Sequence, residues 1–141
     1  MSLVTSVPIK RVNDIGGSIT VYEPISLLQI DFKRIYFLNG IKNEIIRGNH
    51  AHKKLQQFFI VLKGFGSFRF MDGKSEQEIV VDEKSDFGLY VPSGLWREIK
   101  DVSTDFVLIV YASDMYDESD YIRNWDDFIS WKAKTHESLT S

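Results

Sequence analysis

Two of the three histidines in the sequence stand two residues apart, in Arg47-Gly48-Asn49-His50-Ala51-His52-Lys53-Lys54. Residues i and i+2 of a β-strand point to one face, so His50 and His52 can meet a single ligand. A neutral imidazole takes and returns protons near neutral pH, which makes the pair suited to acid–base chemistry. The competing reading is two histidines on an exposed strand edge. Around them Arg47, Lys53, Lys54, Arg97 and Arg123 form a local excess of cations in a chain of net charge -3. Arginine presents a planar fork of donors that fits phosphate oxygens, so the excess suits an anion such as a diphosphate, solvated surface charge being the alternative. Tyr36, Tyr90, Trp96 and Tyr121 can stack on a base or sugar, or offer a phenol, although most aromatics of a small β-protein belong to its core.

The elements that must hold these groups read as strands. The 141 residues are 13% aromatic, and the aromatics lie in short runs with β-branched neighbours. Strands are expected at 9–12, 18–23, 32–38, 57–62, 66–71, 77–82, 88–91, 95–99 and 106–112. Turns are marked by Asn39-Gly40, Lys63-Gly64, Met71-Asp72-Gly73-Lys74 and Pro92-Ser93-Gly94. That many short strands point to a β-sandwich or barrel. Residues 106–112 are almost continuously apolar, which predicts cover on both faces, at the barrel centre or under a partner subunit. One helix is expected from about Asn124, a capping residue followed by Asp126 and Asp127, to about Lys134, docking through Trp125, Phe128, Ile129 and Lys132.

Several classes are disfavoured by composition. No cysteine is present, so disulfides, a thiolate zinc site and a cysteine nucleophile are excluded. The charge balance makes nucleic acid an unexpected partner. No apolar run reaches the roughly 18 residues of a membrane span, and the first residues lack the pattern of a signal peptide. We expect a single domain over 1–141, with 1–6 and 135–141 flexible, in a cytoplasmic protein without membrane association.

His50-x-His52, four residues, Gln57, six residues, then Gly64 resembles the first motif of the cupin superfamily. Pro92-Ser93-Gly94-Leu95-Trp96-Arg97 resembles the second. In metal-binding cupins a Glu and a His stand where this chain has Gln57 and Arg97. An amide is a poor ligand for a transition metal and a guanidinium is none, so no metal and no other cofactor are expected. The resemblance implies an all-β fold, a jelly-roll barrel of two antiparallel sheets with a short C-terminal helix.

A narrower likeness lies in Arg47-Gly48-Asn49-His50-Ala51-His52-Lys53-Lys54-Leu55, Gly88-Leu89-Tyr90-Val91-Pro92, Leu95-Trp96-Arg97-Glu98 and Tyr116-Asp117-Glu118-Ser119-Asp120-Tyr121-Ile122-Arg123. These blocks resemble the WxcM-like TDP-4-keto-6-deoxyglucose 3,4-ketoisomerases. The resemblance implies a homodimer, in some members with exchanged N-terminal strands, acting on a TDP-linked keto-deoxyhexose. It places the reaction on the way to unusual deoxyamino sugars of surface glycans or lipopolysaccharide.

It also implies His52 as the catalytic base with His50 beside it. Tyr36, Arg47, Tyr121 and Arg123 fall at contacts to nucleotide, phosphate or sugar, while Lys53, Gln57, Tyr90, Trp96 and Arg97 complete the expected binding set. In such a reaction the C4 ketone acidifies the C3 proton, an imidazole removes it, and the enediol collapses to a C3 ketone. Arg47 or Arg97 would steady the enediolate charge. The competing readings are a 3,5-epimerase, a metal cupin and a non-catalytic module that binds a nucleotide sugar.

Overall fold

The computed structural model describes residues 2–23, 27–42 and 44–140, with side chains through 137. Its strands are β1 (Thr5–Pro8), β2 (Lys10–Asp14), β3 (Gly17–Val21), β4 (Arg34–Asn39), β5 (Arg47–His52), β6 (Gln57–Lys63), β7 (Phe65–Met71), β8 (Glu76–Asp82), β9 (Phe87–Val91), β10 (Trp96–Lys100), β11 (Val107–Ala112) and β12 (Tyr121–Ile122). A 3-10 turn (Glu118–Asp120) precedes β12, and helix α1 (Trp125–Thr140) follows it. The strands form one sheet in the order β1-β9-β6-β11-β4, a second in the order β12-β5-β10-β7-β8, and a separate hairpin of β2 and β3. Every pairing is antiparallel. The expected two-sheet jelly roll is the observed fold.

The core between the sheets follows the period of two. Phe59 and Val61 of β6, Phe68 and Phe70 of β7, and Leu108 and Val110 of β11 pack in one cluster with Phe106. The intervening residues of β6, Phe58 and Ile60, pack on the outer side with Val7, Tyr90, Ile109 and Tyr111. Thus β6 is covered on both faces. In β11 the inward residues Leu108, Val110 and Ala112 are buried, whereas Val107, Ile109 and Tyr111 are half-buried. Apolar residues left open in this sheet include Ile35 and Phe37 of the edge strand β4, 56% and 63% exposed, and Leu62 near the end of β6.

Asn124 caps α1 as its side chain suggests, its Oδ1 accepting the Asp127 N–H at 3.0 Å. The helix runs on to Thr140 and is longer than expected. Its docking stripe also differs from 125, 128, 129 and 132. Phe128 is fully buried against Ala51, Met71, Trp96 and Ile122, with Trp131 packed beside it. Burial of Phe128 contributes about 2–3 kcal/mol. Trp125 meets Trp96 edge-on at 5.4 Å but stays partly open, as does Ile129. Lys132 contributes a polar tie, donating from Nζ to the Gly94 carbonyl at 2.8 Å.

At the ends, Thr5 and Ser6 belong to β1, which pairs with β9, and 135–140 are helical; Met1 and Ser141 lie outside the described residues. Strand β1 escapes a sequence reading because Thr5-Ser6-Val7-Pro8 is short and holds a proline, which an edge strand tolerates.

Candidate active site

Between the sheets lies a cavity of about 550 Å³. Strand β4 contributes Tyr36, β5 His50, β6 Gln57 and Phe59, β10 Arg97, and the segment after the 3-10 turn Tyr121 and Arg123. Arg34 and Arg47 also line it, and no Asp or Glu stands among the described lining residues. Four guanidinium groups therefore face one concavity. Arg97 remains a cation at neutral pH although complete burial lowers its pKa to about 10.

The histidines owe their positions to an irregularity in β5. His50 pairs with Arg97 across the ladder, but Glu98 pairs with Gly48, so Asn49 is the extra residue of a bulge. Gly48 has φ +88° and Asn49 φ +53°. A Cβ on Gly48 would stand 2.8 Å from the Arg97 carbonyl oxygen. This explains the Gly-Asn pair in front of His50: glycine permits the close approach, and asparagine tolerates the left-handed turn.

Beyond the bulge, His50 and His52 share a face, their Nε2 atoms 3.1 Å apart. Only His50 lines the cavity. His52 lies behind it, 0% exposed, with the Tyr121 ring 4.4 Å away. The hydrogen-bond partners assign the tautomers. His50 Nδ1 is 2.9 Å from the Gly48 carbonyl oxygen, which only accepts, so Nδ1 carries the hydrogen. His52 Nδ1 is 3.1 Å from Asp120 Oδ2. That carboxylate already accepts the backbone N–H groups of Lys54 at 2.7 Å and Leu55 at 3.3 Å, so it accepts from His52 as well. With both Nδ1 atoms protonated and both rings neutral, two Nε2 lone pairs face each other, leaving room for one added proton.

Burial, and next the Arg97 charge, lower the His50 pKa to about 4. The same two causes, followed by His50, Arg34 and Arg123, hold His52 lower, at about 2. Both rings are therefore neutral at physiological pH. Arg97 lies on the cavity side, its Nη1 donating to Gln57 Oε1 and its Nη2 to the Leu95 carbonyl at 3.1 Å. Arg123 rests 4.3 Å over the Tyr121 ring and pairs with Glu118 at 2.7 Å.

Of the expected residues, the fold brings Tyr36, Arg47, His50, Gln57, Arg97, Tyr121 and Arg123 to one cavity. Lys53, Tyr90 and Trp96 do not line it. Lys53 is exposed beyond the end of β5, where its N–H bonds the Asp120 carbonyl. Tyr90 points to the outer side of its sheet, donating to Gln56 Oε1 at 2.5 Å, and Trp96 is core beneath α1. Sequence reasoning missed Arg34 and Asp120. Asp120 lies 68 residues from His52, and only folding joins them. Among the described residues no three His, Asp or Glu side chains form a set that could hold a metal ion. The residues facing the histidines, Gln57 and Arg97, do not supply the missing ligands.

A two-sheet antiparallel jelly roll with one imidazole on its cavity wall and a second behind it is of the cupin class. More narrowly, the chain belongs to the FdtA family, described as WxcM-like, C-terminal, whose model matches residues 3–133. It is 42% identical over 125 residues, covering 89% of each chain, to the TDP-4-oxo-6-deoxy-alpha-D-glucose-3,4-oxoisomerase of Aneurinibacillus thermoaerophilus. The crystal structure of QdtA, a sugar 3,4-ketoisomerase from Thermoanaerobacterium thermosaccharolyticum in complex with TDP, superposes with TM-score 0.88 at 36% identity, over 94% of this chain and 96% of that one. A His-to-Asn variant of QdtA in complex with TDP-4-keto-6-deoxyglucose superposes with TM-score 0.88 at 35% identity, over 95% and 96% of the two chains.

Proposed function

We propose that this protein is a sugar 3,4-ketoisomerase that converts TDP-4-keto-6-deoxyglucose to the 3-keto isomer. The observation that carries this reading is a neutral imidazole on the wall of an arginine-lined cavity, backed by a second imidazole with an unoccupied Nε2 lone pair. The named activities and complexes of its relatives support the substrate class. Arg34, Arg47 and Arg123 are the donors for the diphosphate, and Tyr121 borders the histidines.

We assign the residue roles by which ring reaches the cavity. His50 takes the C3 proton on Nε2, the C3–H electron pair forms the C3–C4 double bond, and the C4 carbonyl pair moves to O4. The O3 proton passes to O4 as C3 becomes the ketone, and C4 takes a proton from His50 Nε2 after that proton has exchanged with solvent. The ketone thus moves by one carbon with no external oxidant. His52, assigned as base on resemblance, is enclosed behind His50 and acts here as partner: its Nε2 accepts a hydrogen bond from the newly protonated His50, while Asp120 holds its Nδ1 hydrogen. The Arg97 cation stabilises the enediolate.

The assembly we infer is a homodimer, supported by the apolar outer face of Ile35 and Phe37 on edge strand β4 and by Val12 and Ile19 on the exposed β2–β3 hairpin. Sedimentation as a monomer at micromolar concentration would contradict it. The cellular role we assign is cytoplasmic, supplying a C3 ketone for amination in a surface-glycan or lipopolysaccharide precursor. The central test is proton NMR of the protein with TDP-4-keto-6-deoxyglucose in deuterated water. We expect 3-keto resonances with deuterium at C4. Line broadening of an unchanged ligand would instead mark a binding module, and label at C5 an epimerase.

A further inference from the structure

Arg97, Gln57 and Tyr36 form a hydrogen-bond chain whose direction is set at its buried end. The Arg97 guanidinium has only N–H groups, so the Gln57 atom against its Nη1 is the amide oxygen. Turning the amide round would set donor against donor beside a side chain that is 2% exposed. The Gln57 amide nitrogen consequently faces Tyr36 and donates to its phenolic oxygen at 2.8 Å. That oxygen being the acceptor, the phenol's own hydrogen is left over, and no described residue takes it. Tyr36 lines the same cavity as His50. Burial raises its pKa, which keeps the hydrogen in place.

We propose that Gln57 is a positioning residue that compels Tyr36 to offer its phenolic hydrogen to the substrate oxygen on which negative charge develops. This deepens the ketoisomerase reading and rests on it. Tyr36 donates a hydrogen bond to the enediolate and keeps its proton, so the proton transfers of the reaction are unchanged. The Gln57 position, where metal-binding cupins carry a Glu, thereby has a positive role in this chain. A carboxylate there has no hydrogen to give and would accept the Tyr36 hydroxyl hydrogen, removing it from the substrate.

The test is a double-mutant cycle on kcat and KM with TDP-4-keto-6-deoxyglucose, using Gln57→Glu, Tyr36→Phe and the two combined. Each single variant is expected to lose about 10²-fold in kcat, the usual cost of one oxyanion donor, with KM little changed. The combined variant should lose no more than about threefold beyond Gln57→Glu, because the carboxylate has already captured the phenol. A change acting only through packing, or through the histidine pKa values, would leave the Tyr36→Phe cost at full size in the Gln57→Glu background and would overturn the proposal. Should Gln57→Glu fail to fold, the cycle is run with Gln57→Met, which leaves the phenol undirected. Tyr36→Phe must then cost several-fold less than in the wild type, and an equal cost refutes the direction argument. Wild-type protein that leaves the sugar unchanged removes the functional reading and this inference together, whereas active wild type with multiplicative losses removes the inference alone.

Discussion

Replacing Asp120 by asparagine should damage turnover more than replacing it by alanine, although alanine removes more atoms. The Asp120 carboxylate accepts from Lys54 N at 2.7 Å, Leu55 N at 3.3 Å and His52 Nδ1 at 3.1 Å. Asparagine has one oxygen, and the shortest of these contacts, Lys54 N, claims it. The amide NH2 then faces His52 Nδ1 and donates to it, driving the ring hydrogen to Nε2. There it points at His50 Nε2, 3.1 Å away, and occupies the lone pair needed to receive the C3 proton. Turning the amide restores the working tautomer and relieves the Leu55 N–H, which the inverted amide faces with a donor at 3.3 Å, but sets the closer Lys54 N–H, at 2.7 Å, against a donor, a net cost of about 1 kcal/mol. That cost, plus rupture of the new hydrogen bond, predicts a kcat loss of about 30-fold or more, and tautomer inversion beside a catalytic imidazole can reach ~10⁴. Asp120→Ala imposes no tautomer and should lose about tenfold. The assay is kcat by NMR under saturating TDP-4-keto-6-deoxyglucose, with nitrogen-15 shifts of the imidazoles to read the tautomer directly. Asp120→Asn turnover equal to or above that of Asp120→Ala, or a His52 ring still protonated at Nδ1, would refute the reasoning.

Acidity gives a second check. In the unfolded chain His50 titrates near 6.5 and in the folded protein near 4, so between these values the unfolded state binds more protons and stability falls as pH is lowered, by about 3 kcal/mol across the window for this residue. Urea unfolding at several pH values measures it. The acid limb of kcat/KM should fall near pH 4 and not near 6.5, because the free protein's base is neutral down to that point. Gly48→Ala places a Cβ 2.8 Å from the Arg97 carbonyl oxygen at φ +88°, so we expect stability to fall by at least about 1–3 kcal/mol and kcat to fall with it as Arg97 and His50 shift; thermal unfolding and turnover together check this. Phe128→Ala empties a fully buried site under α1 and should cost about 3–5 kcal/mol in denaturant unfolding while TDP affinity, measured on protein that remains folded, stays near wild type.

Much of the molecule is legible in local chemistry. Alternation of apolar residues, aromatic runs and turn glycines mark most of the strands, and Asn124 with two following aspartates marks the start of α1, because these signals act over a few residues and need no distant partner. The i, i+2 spacing of the histidines likewise places both on one face before any fold is known. Through the resemblance to the cupin motifs, Gln57 and Arg97 also imply that a metal set would be incomplete. Which histidine faces the ligand is not written in that spacing. It depends on the bulge at Gly48-Asn49, on the Tyr121 ring that covers His52, and on Asp120 arriving from a segment far along the chain. Tyr90 and Trp96 are as aromatic as Tyr36, yet only packing decides that one points outward, another lies under a helix and the third lines the cavity. The sequence determined a two-sheet β-protein carrying paired imidazoles and an excess of arginine. Tertiary structure alone decided which of those groups share one enclosed volume, because hydrogen-bond direction, burial and pKa come from neighbours that the chain brings together only when it closes.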